Sequence, residues 1–232
     1  MRLSVKEDGN WRSFRHRNYR ILFPANTVSN IGSWAQRIAQ DWLVLELTNN
    51  NGTYLGLVTA VQFAPVLFFS LHGGKLADRF NKRKVLVLTN ILGGSASLGL
   101  GALVITEHIQ LWHVFVLAAV LGISTAIDAP VRQSFTTEVV GQTDLPNAVS
   151  LNSANFNAGR LVGPAVSGGL IAAFGTGPSF IINGLSYFFV IAALLNLNEK
   201  AFFYQDRPKS DGNIREGIAY AKARPDIYVV ML

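Results

Sequence analysis

Six apolar runs, separated by short polar stretches, make up most of the chain between residues 21 and 197. Each run is close to the roughly 20 residues with which a helix crosses the hydrocarbon core of a bilayer. The runs lack the alternation of apolar and polar residues that is typical of strands in membrane barrels. The pattern therefore predicts an all-α, polytopic membrane protein whose central unit is a bundle of six transmembrane helices, residues 21–197.

The segments on either side of this bundle are more polar. Residues 1–20 carry six basic residues and predict a cytoplasmic amino-terminal lead, whose aromatic residues lie at the level of the lipid headgroups. The lead has no continuous apolar core and no small-residue cleavage site, so we do not expect a cleaved signal peptide. Residues 198–224 are predicted to form a cytoplasmic central linker. Residues 225–232 are predicted to begin a seventh transmembrane helix that is truncated.

Lysine and arginine are distributed unevenly along this pattern. Eighteen of the 20 lie in segments assigned to the cytoplasm, the three outer loops contain none, and two lie inside predicted spans. Because cytoplasmic loops are enriched in positive residues, both ends of the six-helix unit are predicted to be cytoplasmic. The same topology explains the net charge of +6, so nucleic acid is not expected as a partner.

Composition supports the membrane assignment and disfavours several kinds of site. Half of the residues are hydrophobic and 15% are charged, which is unusual for a soluble domain. The absence of cysteine excludes a disulfide framework and a thiolate metal site. The sequence lacks the phosphate-binding loop of an ATP-driven pump, and no two of its four histidines lie at zinc-ligand spacing beside a catalytic carboxylate. We therefore expect neither enzymatic activity nor a cofactor.

The basic connection between the second and third runs carries the most specific pattern in the chain. Residues 74–86 read Gly-Lys-Leu-Ala-Asp-Arg-Phe-Asn-Lys-Arg-Lys-Val-Leu. This order resembles the loop signature that the major facilitator superfamily has between its second and third helices. The resemblance implies close helix packing and a gate that holds one conformation, with these residues in the family's places: Gly74, Asp78, Arg79 and Arg83. Asn81 stands where the family usually has glycine, and asparagine also tolerates a left-handed turn.

A second charged pair extends this gate hypothesis. Asp128 and Arg132 are four residues apart in a polar stretch, residues 128–147, that is predicted to return the chain to the cytoplasmic side. One hypothesis is that the pair contacts Asp78 or Arg79 and forms part of the gate. The alternative is a simple interfacial salt bridge, which would contribute little stability.

Charged residues inside the predicted spans are the next informative feature. A charge at the bilayer centre costs about 2.5 to 3.5 kcal/mol on insertion scales, so such residues usually face a cavity or a partner. Arg37 and Asp41 lie four residues apart on the helix face of Trp34, and Gln40 lies beside them. An ion pair within the helix and a polar patch that lines a substrate or proton pathway both fit this spacing, and we favour the pathway. Asp41 is the deepest carboxylate and is the candidate for proton coupling.

Small residues recur along the fifth run at helical spacing, which lets another backbone approach closely. Residues 159–169 resemble the fifth-helix signature of drug and metabolite antiporters in the superfamily. The resemblance implies a helix-packing motif made of Gly159, Gly163, Pro164 and Gly168. Ser167 stands where that signature usually has a glycine. Arg160 lies beside this stripe, where it either faces the pathway and favours anionic substrates or anchors Asp41 from across the bundle.

Three further stretches, residues 36–42, 128–133 and 144–152, are similar to the exporter branch of the superfamily that includes enterobactin exporters. The resemblance implies a secondary active exporter in the bacterial inner membrane that moves a small organic molecule, such as a siderophore or drug, by alternating access coupled to protons. Substrate sites of such transporters lie between two six-helix halves. The expected partners are therefore the substrate, protons, the lipid bilayer, and a missing carboxy-terminal half or a second copy. A non-transporting membrane scaffold or sensor, and an inactive truncated half-transporter, are the alternatives.

Overall fold

The computed structural model describes residues 9–204, with the exception of the side chains of residues 69–79. Three helices open the bundle: α1 Arg17–Leu47, α2 Gly52–Arg79 and α3 Lys82–Ile105. A helical stretch from Leu111–Phe174 is broken at Gly141, which divides it into α4, residues 111–140, and α5, residues 142–174. The helix α6, Gly177–Leu195, completes the bundle. Short 3-10 helices, Arg12–Arg15 and Glu199–Ala201, flank it.

Length and hydropathy agree with a membrane bundle. Within the described residues, α3, the stretch that contains α4 and α5, and α6 are long and apolar enough to cross a membrane. The apolar part of α2, Gly52–Phe68, is shorter. Polar and charged residues such as Arg37 and Asp41 lower the hydropathy of α1. The predicted fold class, an all-helical polytopic membrane protein, is confirmed.

The polar stretch predicted as a return segment is helical on both sides of one residue. α4 continues about three turns past the predicted end of the fourth span, so Asp128 and Arg132 lie inside it. Gly141 has φ 74° and ψ 170°, a conformation that glycine adopts without the steric cost of a Cβ. The ring of Phe203 lies 3.3 Å from the place that a Cβ would take. The predicted boundaries were wrong here because a single glycine turns the chain.

The basic connection between α2 and α3 is much shorter than its sequence suggests. Because α2 extends through Arg79 and α3 begins at Lys82, only Phe80 and Asn81 are non-helical. Asn81 has φ −63°, and its Oδ1 accepts a hydrogen bond from the backbone N–H of Lys84 at 3.2 Å. Asn81 therefore caps α3 from an extended conformation, and the left-handed conformation that asparagine tolerates is not used here.

Two apolar clusters form the core, one at each end of the bundle. The first joins the start of α1 and α3 to the ends of α4 and α6, and it includes Tyr19, Leu86, Phe135, Val139 and Leu194. The second joins the end of α1 and α3 to the starts of α2, α4 and α6, and it includes Leu43, Val58, Leu100, Val114 and Phe180. Between the clusters lie buried polar side chains, among them Gln36, Thr89, Asn90, Ser124 and Asn183.

The segment after α6 returns to the start of the bundle. Asn18 donates from Nδ2 to the carbonyl oxygen of Asn198 at 3.0 Å, and the backbone N–H of Asn198 donates to Oδ1 of Asn18 at 3.0 Å. The backbone N–H of Phe203 donates to the carbonyl oxygen of Glu138 at 2.8 Å. The rest of the predicted central linker, the predicted start of a seventh helix and residues 1–8 of the lead lie outside the described residues.

Candidate functional site

An arginine between two aromatic rings is the most distinctive feature of the exposed surface of the bundle. The guanidinium carbon of Arg37 lies 5.2 Å from the ring centroid of Trp34 and 4.7 Å from that of Phe63. The Trp34 ring meets Phe156 edge to face at 5.5 Å. Phe63 is 42% exposed and Phe156 52% exposed, so the group is open on one side. We call these four residues, contributed by α1, α2 and α5, the aromatic face.

Asp41 does not pair with the arginine one turn before it. Among the described residues neither Arg37 nor Asp41 takes part in an ion pair within 4.0 Å, so the intrahelical ion pair that its spacing allowed is not formed. Asp41 is only half-buried. Gln40 is buried instead. Its side-chain amide nitrogen, Nε2, donates to Oε1 of Gln62 at 3.0 Å, which joins α1 to α2.

Two glycines of the small-residue stripe let α5 approach α1 next to the aromatic face. A Cβ on Gly163 would lie 2.5 Å from Cβ of Trp34, and one on Gly159 would lie 2.3 Å from Nδ2 of Asn30. The same Asn30 amide donates to the carbonyl oxygen of Asn155 at 2.7 Å. A side chain at Gly163 would therefore clash with the backbone of α1, and one at Gly159 would clash with the Asn30 amide.

The other predicted positions on α5 lie apart from this contact. Pro164 lies within α5 and does not interrupt the helix. Gly168 faces open space, because no atom lies within 4 Å of the position that a Cβ would take. Arg160 is exposed, and it forms no ion pair with any described residue. The expectation that Arg160 anchors Asp41 is therefore wrong.

Asp128 and Arg132 form a bidentate ion pair on α4. Nε of Arg132 donates to Oδ2 of Asp128 at 2.6 Å, and Nη2 donates to Oδ1 at 2.9 Å. Two donors on α3 also bind Oδ1: the Thr89 hydroxyl at 2.7 Å and the Asn90 amide at 3.2 Å. Nη1 of Arg132 donates to Oδ1 of Asn26 on α1 at 2.7 Å. The pair thus joins α1, α3 and α4, a role that the surface salt bridge considered from the sequence would not have.

The basic connection is held by carboxylates that sequence reasoning missed. Lys82 Nζ donates to Oε1 of Glu138 at the end of α4 at 2.6 Å. Arg83 donates from Nη1 to Oε1 of Glu199 at 2.5 Å and from Nη2 to the carbonyl oxygen of Leu195 at 2.7 Å. The signal was available, since both carboxylates lie in segments assigned to the same side of the membrane. Gly74, Asp78 and Arg79 belong to the part of α2 whose side chains are not described. The contact of Asp78 or Arg79 with the Asp128–Arg132 pair therefore stays a prediction.

The amino-terminal lead is fixed to the start of α5 through Asp144, which sequence reasoning also missed as a site. The buried Asp144 carboxylate accepts from Nε of Arg15 at 2.8 Å, lies 2.6 Å from Nε2 of His16, and has Nε of Arg12 at 3.4 Å. Burial opposes its ionisation, but the hydrogen bond from His16 and the charge of Arg15 outweigh burial and hold the pKa of Asp144 below its usual range. Ser13 adds two hydrogen bonds to Oδ1 of Asn147.

The described residues form a bundle of six helices with an aromatic face that is open on one side and a charged end. A family model described as transmembrane secretion effector matches residues 8–232. The chain belongs to this family of the major facilitator superfamily, and the predicted family is confirmed.

Curated relatives agree with this membership. The chain is 27% identical to the staphyloferrin A transporter of Staphylococcus aureus over 185 residues, which are 78% of this chain and 46% of the relative. It is 29% identical over 162 residues to the multidrug efflux pump Tap of Mycolicibacterium fortuitum, covering 67% of this chain and 39% of that protein. The enterobactin exporter of Shigella flexneri is 21% identical over 184 residues, 79% of this chain and 45% of the exporter. The chain therefore spans about half the length of the curated relatives it matches.

Proposed function

We propose that this chain is the amino-terminal half of a secondary active exporter that moves a small organic molecule with aromatic and anionic groups by alternating access. Membership in a transporter family supports the general activity. The single observation that carries the substrate class is Arg37, held against the rings of Trp34 and Phe63 on an open side of the bundle.

The chemistry of the aromatic face suits an aromatic acid. A guanidinium binds a carboxylate or catecholate with two parallel hydrogen bonds, and this interaction is strong in a site from which water is excluded. The exposed ring of Phe156 offers a surface on which a planar group of the substrate can stack. Arg37, Asp41 and Arg160 together carry a net charge of +1, which favours an anion over a cation. The relatives named for siderophores and for drugs are compatible with this class.

The open side of the bundle requires a covering partner. Leu67 on α2 is 77% exposed and Leu161 on α5 is 79% exposed, in the same two helices that contribute Phe63 and Phe156 to the aromatic face. Because the chain spans about half of its relatives, we infer that a carboxy-terminal half, or a second copy, covers this surface and completes the substrate cavity.

Protons are the proposed energy source, and Asp41 is the proposed carrier. It is a half-buried carboxylate with no ion-pair partner among the described residues, next to the aromatic face. An unpaired carboxylate in such a place can take up and release a proton as its surroundings alternate between two states. Asp41→Asn in the complete transporter is expected to abolish efflux driven by a pH gradient while substrate binding persists. Unchanged proton-driven efflux in this variant would contradict the role of Asp41.

The substrate class is tested by efflux from everted vesicles that contain the complete transporter. Two probes with the same ring system are compared, one with a carboxylate and one with a quaternary ammonium group. We expect the anionic probe to be preferred and Arg37→Gln to raise its KM about tenfold, equivalent to about 1.4 kcal/mol, with little effect on the cationic probe.

The variant Arg160→Gln tests whether Arg160, in addition to Arg37, contributes to the substrate site. A selective loss of anion transport in this variant would add Arg160 to the substrate site, whereas equal losses for both probes would indicate a role in packing or assembly. A native preference for the cationic probe would overturn the proposed substrate class.

A further inference from the structure

Two segments outside the six helices meet at Gly141, the joint between α4 and α5. One segment is the amino-terminal lead, and the other is residues 196–204, which we call the post-α6 segment. Glycine restricts its own backbone less than any other residue, so the angle between the two helices depends on what packs around the joint. The two segments hold different sides of it.

The post-α6 segment holds the α4 side of the joint. The backbone N–H of Phe203 donates at 2.8 Å to the carbonyl oxygen of Glu138, in the last turn of α4. Carbonyl groups in the last turn of a helix have no donor within the helix, so this bond satisfies one of them. The ring of Phe203 also lies 3.3 Å from the place that a Cβ on Gly141 would take. One residue therefore contacts both the end of α4 and the joint.

The lead holds the α5 side of the joint. Asp144, in the first turn of α5, accepts from Nε of Arg15 at 2.8 Å and lies 2.6 Å from Nε2 of His16. One turn further along α5, Oδ1 of Asn147 accepts from the backbone N–H of Ser13 at 3.0 Å and from its hydroxyl at 2.7 Å. These contacts fix the direction in which α5 leaves the joint.

The two segments also contact each other. The ring of His16 meets the ring of Phe203 edge to face, with centroids 5.5 Å apart and ring planes at 83°. This is a favoured geometry for a pair of aromatic rings. His16 thus contacts Asp144 through Nε2 and the post-α6 segment through its ring. A change in the angle between α4 and α5 would have to separate the two rings or displace both segments.

Each segment is anchored elsewhere in the bundle, so neither is free to follow the joint. In the post-α6 segment, Glu199 accepts from Nη1 of Arg83 at the start of α3. In the lead, the ring of Phe14 meets two rings of α1 edge to face, that of Tyr19 at 5.3 Å and that of Phe23 at 5.0 Å. Displacing both segments would break these contacts as well.

We propose that the lead and the post-α6 segment form a clamp around Gly141, closed by the contact between His16 and Phe203, which makes α4 and α5 one rigid body. The clamp depends only on the contacts described, whereas its role in transport rests on the proposed function. Alternating access proceeds largely by the rocking of rigid bodies against each other, so a rigid joint suits that mechanism.

The first test measures the joint without transport. The chain contains no cysteine, so Val116→Cys near the start of α4 and Phe174→Cys at the end of α5 provide two exposed sites for spin labels, both far from Gly141. Pulsed electron paramagnetic resonance gives the distribution of label distances in detergent-purified protein. We expect a narrow distribution in the parent and a clearly broader one with Phe203→Ala. Tyr204→Ala, at the neighbouring exposed aromatic residue, is the matched control and should leave it narrow.

A second variant tests the closure of the clamp. His16→Gln keeps an amide donor for Asp144 but removes the ring that meets Phe203. We expect it to broaden the distribution as much as Phe203→Ala does, and the double variant to add nothing, because the clamp needs both rings. A broad distribution in the parent, a narrow one in His16→Gln, or additive effects in the double variant would overturn the clamp.

Thermal unfolding of each variant is recorded in parallel, so that a loss of fold is recognised. If Phe203→Ala does not fold, Phe203→Leu takes its place, since leucine still covers Gly141 but cannot form the ring pair with His16. We expect the same broadening in this variant, and a narrow distribution would count against the clamp.

The second test measures efflux by the complete transporter without other cysteines. A short bifunctional methanethiosulfonate joins His16→Cys to Phe203→Cys and is released again by a reductant. Because a rigid joint does not have to open, we expect the cross-linked transporter to keep its kcat, whereas Phe203→Ala lowers kcat severalfold.

Loss of efflux on cross-linking that returns on reduction, or an unchanged kcat in Phe203→Ala, would overturn the rigid-body role of the clamp. If neither parent nor variant transports any probe while the label distances behave as expected, the proposed function fails and the clamp stands.

Discussion

Two acid and base pairs with the same spacing behave differently in this bundle. On α4, Asp128 and Arg132 form a bidentate pair with contacts of 2.6 Å and 2.9 Å. On α1, Arg37 and Asp41 form no ion pair, and the arginine lies against aromatic rings instead. The order of the residues differs, since the acid precedes the base on α4 and follows it on α1. Pairs in helices are more favourable when the acid comes first.

The neighbours of each pair reinforce this difference. Thr89 and Asn90 donate to Asp128 from α3, so the carboxylate on α4 is surrounded by donors. Asp41 has no comparable set among the described residues, and Trp34 and Phe63 offer Arg37 the faces of their rings. The comparison teaches that the partly buried α4 pair is tied to two other helices by hydrogen bonds, whereas Arg37 and Asp41 have no such ties among the described residues.

The largest expected effect is a difference in the free energy of unfolding between variants of Asp128 and Asp41. Asp128→Asn leaves the partly exposed Arg132 without its counter-ion and removes charge-assisted hydrogen bonds, and we expect a loss of about 2 to 3 kcal/mol in the free energy of unfolding. Asp41→Asn should cost less than about 1 kcal/mol because no ion pair is lost. Thermal unfolding of both variants in the same detergent measures the difference. Equal losses would show that the two pairs do not differ in the way proposed here.

The next effect tests the packing that supports the aromatic face. Gly163→Ala places a methyl group 2.5 Å from Cβ of Trp34, so α1 and α5 must separate, and we expect a loss of about 2 kcal/mol. Gly168→Ala on the same helix is the matched control, since nothing lies within 4 Å of its Cβ. The control should be neutral or slightly stabilising, because alanine favours a helix more than glycine does. Equal melting temperatures for both variants would refute the close approach of the two helices.

A third carboxylate, Asp144, extends the comparison to the contact between the amino-terminal lead and α5. Asp144→Asn removes charge-assisted hydrogen bonds to the lead and should cost about 1.5 kcal/mol near neutral pH. Because the pKa of Asp144 is lowered in the folded protein, its contribution is fully present above the ordinary carboxyl pKa of about 3.9. The contribution is lost as the pH falls through the lowered value.

Unfolding free energies of the parent and of Asp144→Asn should therefore converge when the pH is taken from 7 to below 3. Glu107→Gln, at an exposed carboxylate in the turn after α3, serves as the control and should differ little from the parent throughout. A gap between parent and Asp144→Asn that widens toward acid pH would show that the sign is wrong.

The smallest effect concerns the stacking of Arg37. Arg37→Lys keeps the positive charge but replaces a planar group by an ammonium, and we expect a loss of about 0.5 to 1 kcal/mol in stability. Double-mutant cycles with Trp34→Leu measure the part that belongs to the ring contact. A coupling energy of zero would mean that Arg37 takes its position for another reason.

The sequence was sufficient for the class of fold, because the lengths of the apolar runs and the unequal distribution of basic residues are consequences of the bilayer itself. It was insufficient for the boundaries around Gly141. Polar residues on both sides of this glycine suggested a loop, but in the structure they point toward other helices and toward the lead.

The residues of the candidate sites could be predicted from the sequence, but the contacts that these residues make could not. Arg37 was recognised from its position in a span, but its ring contact with Phe63 joins helices that the sequence does not align. The partners of Lys82 and Arg83 come from segments more than 50 residues away, where nothing in the local pattern indicates pairing. These contacts depend on how helices that are distant in sequence pack against one another, and local helix propensity does not determine that packing.

The reciprocal hydrogen bonds between Asn18 and Asn198 hold the start of α1 next to the segment that follows α6, so the two ends of the six-helix unit lie together. A unit whose two ends meet can be joined head to tail with a second unit without reshaping either, and it can also be circularly permuted. New termini in the turn between α3 and α4, residues 106–110, together with a short bridge across the old ends would leave all six helices uninterrupted. The described ends of the bundle therefore meet at one place on its surface.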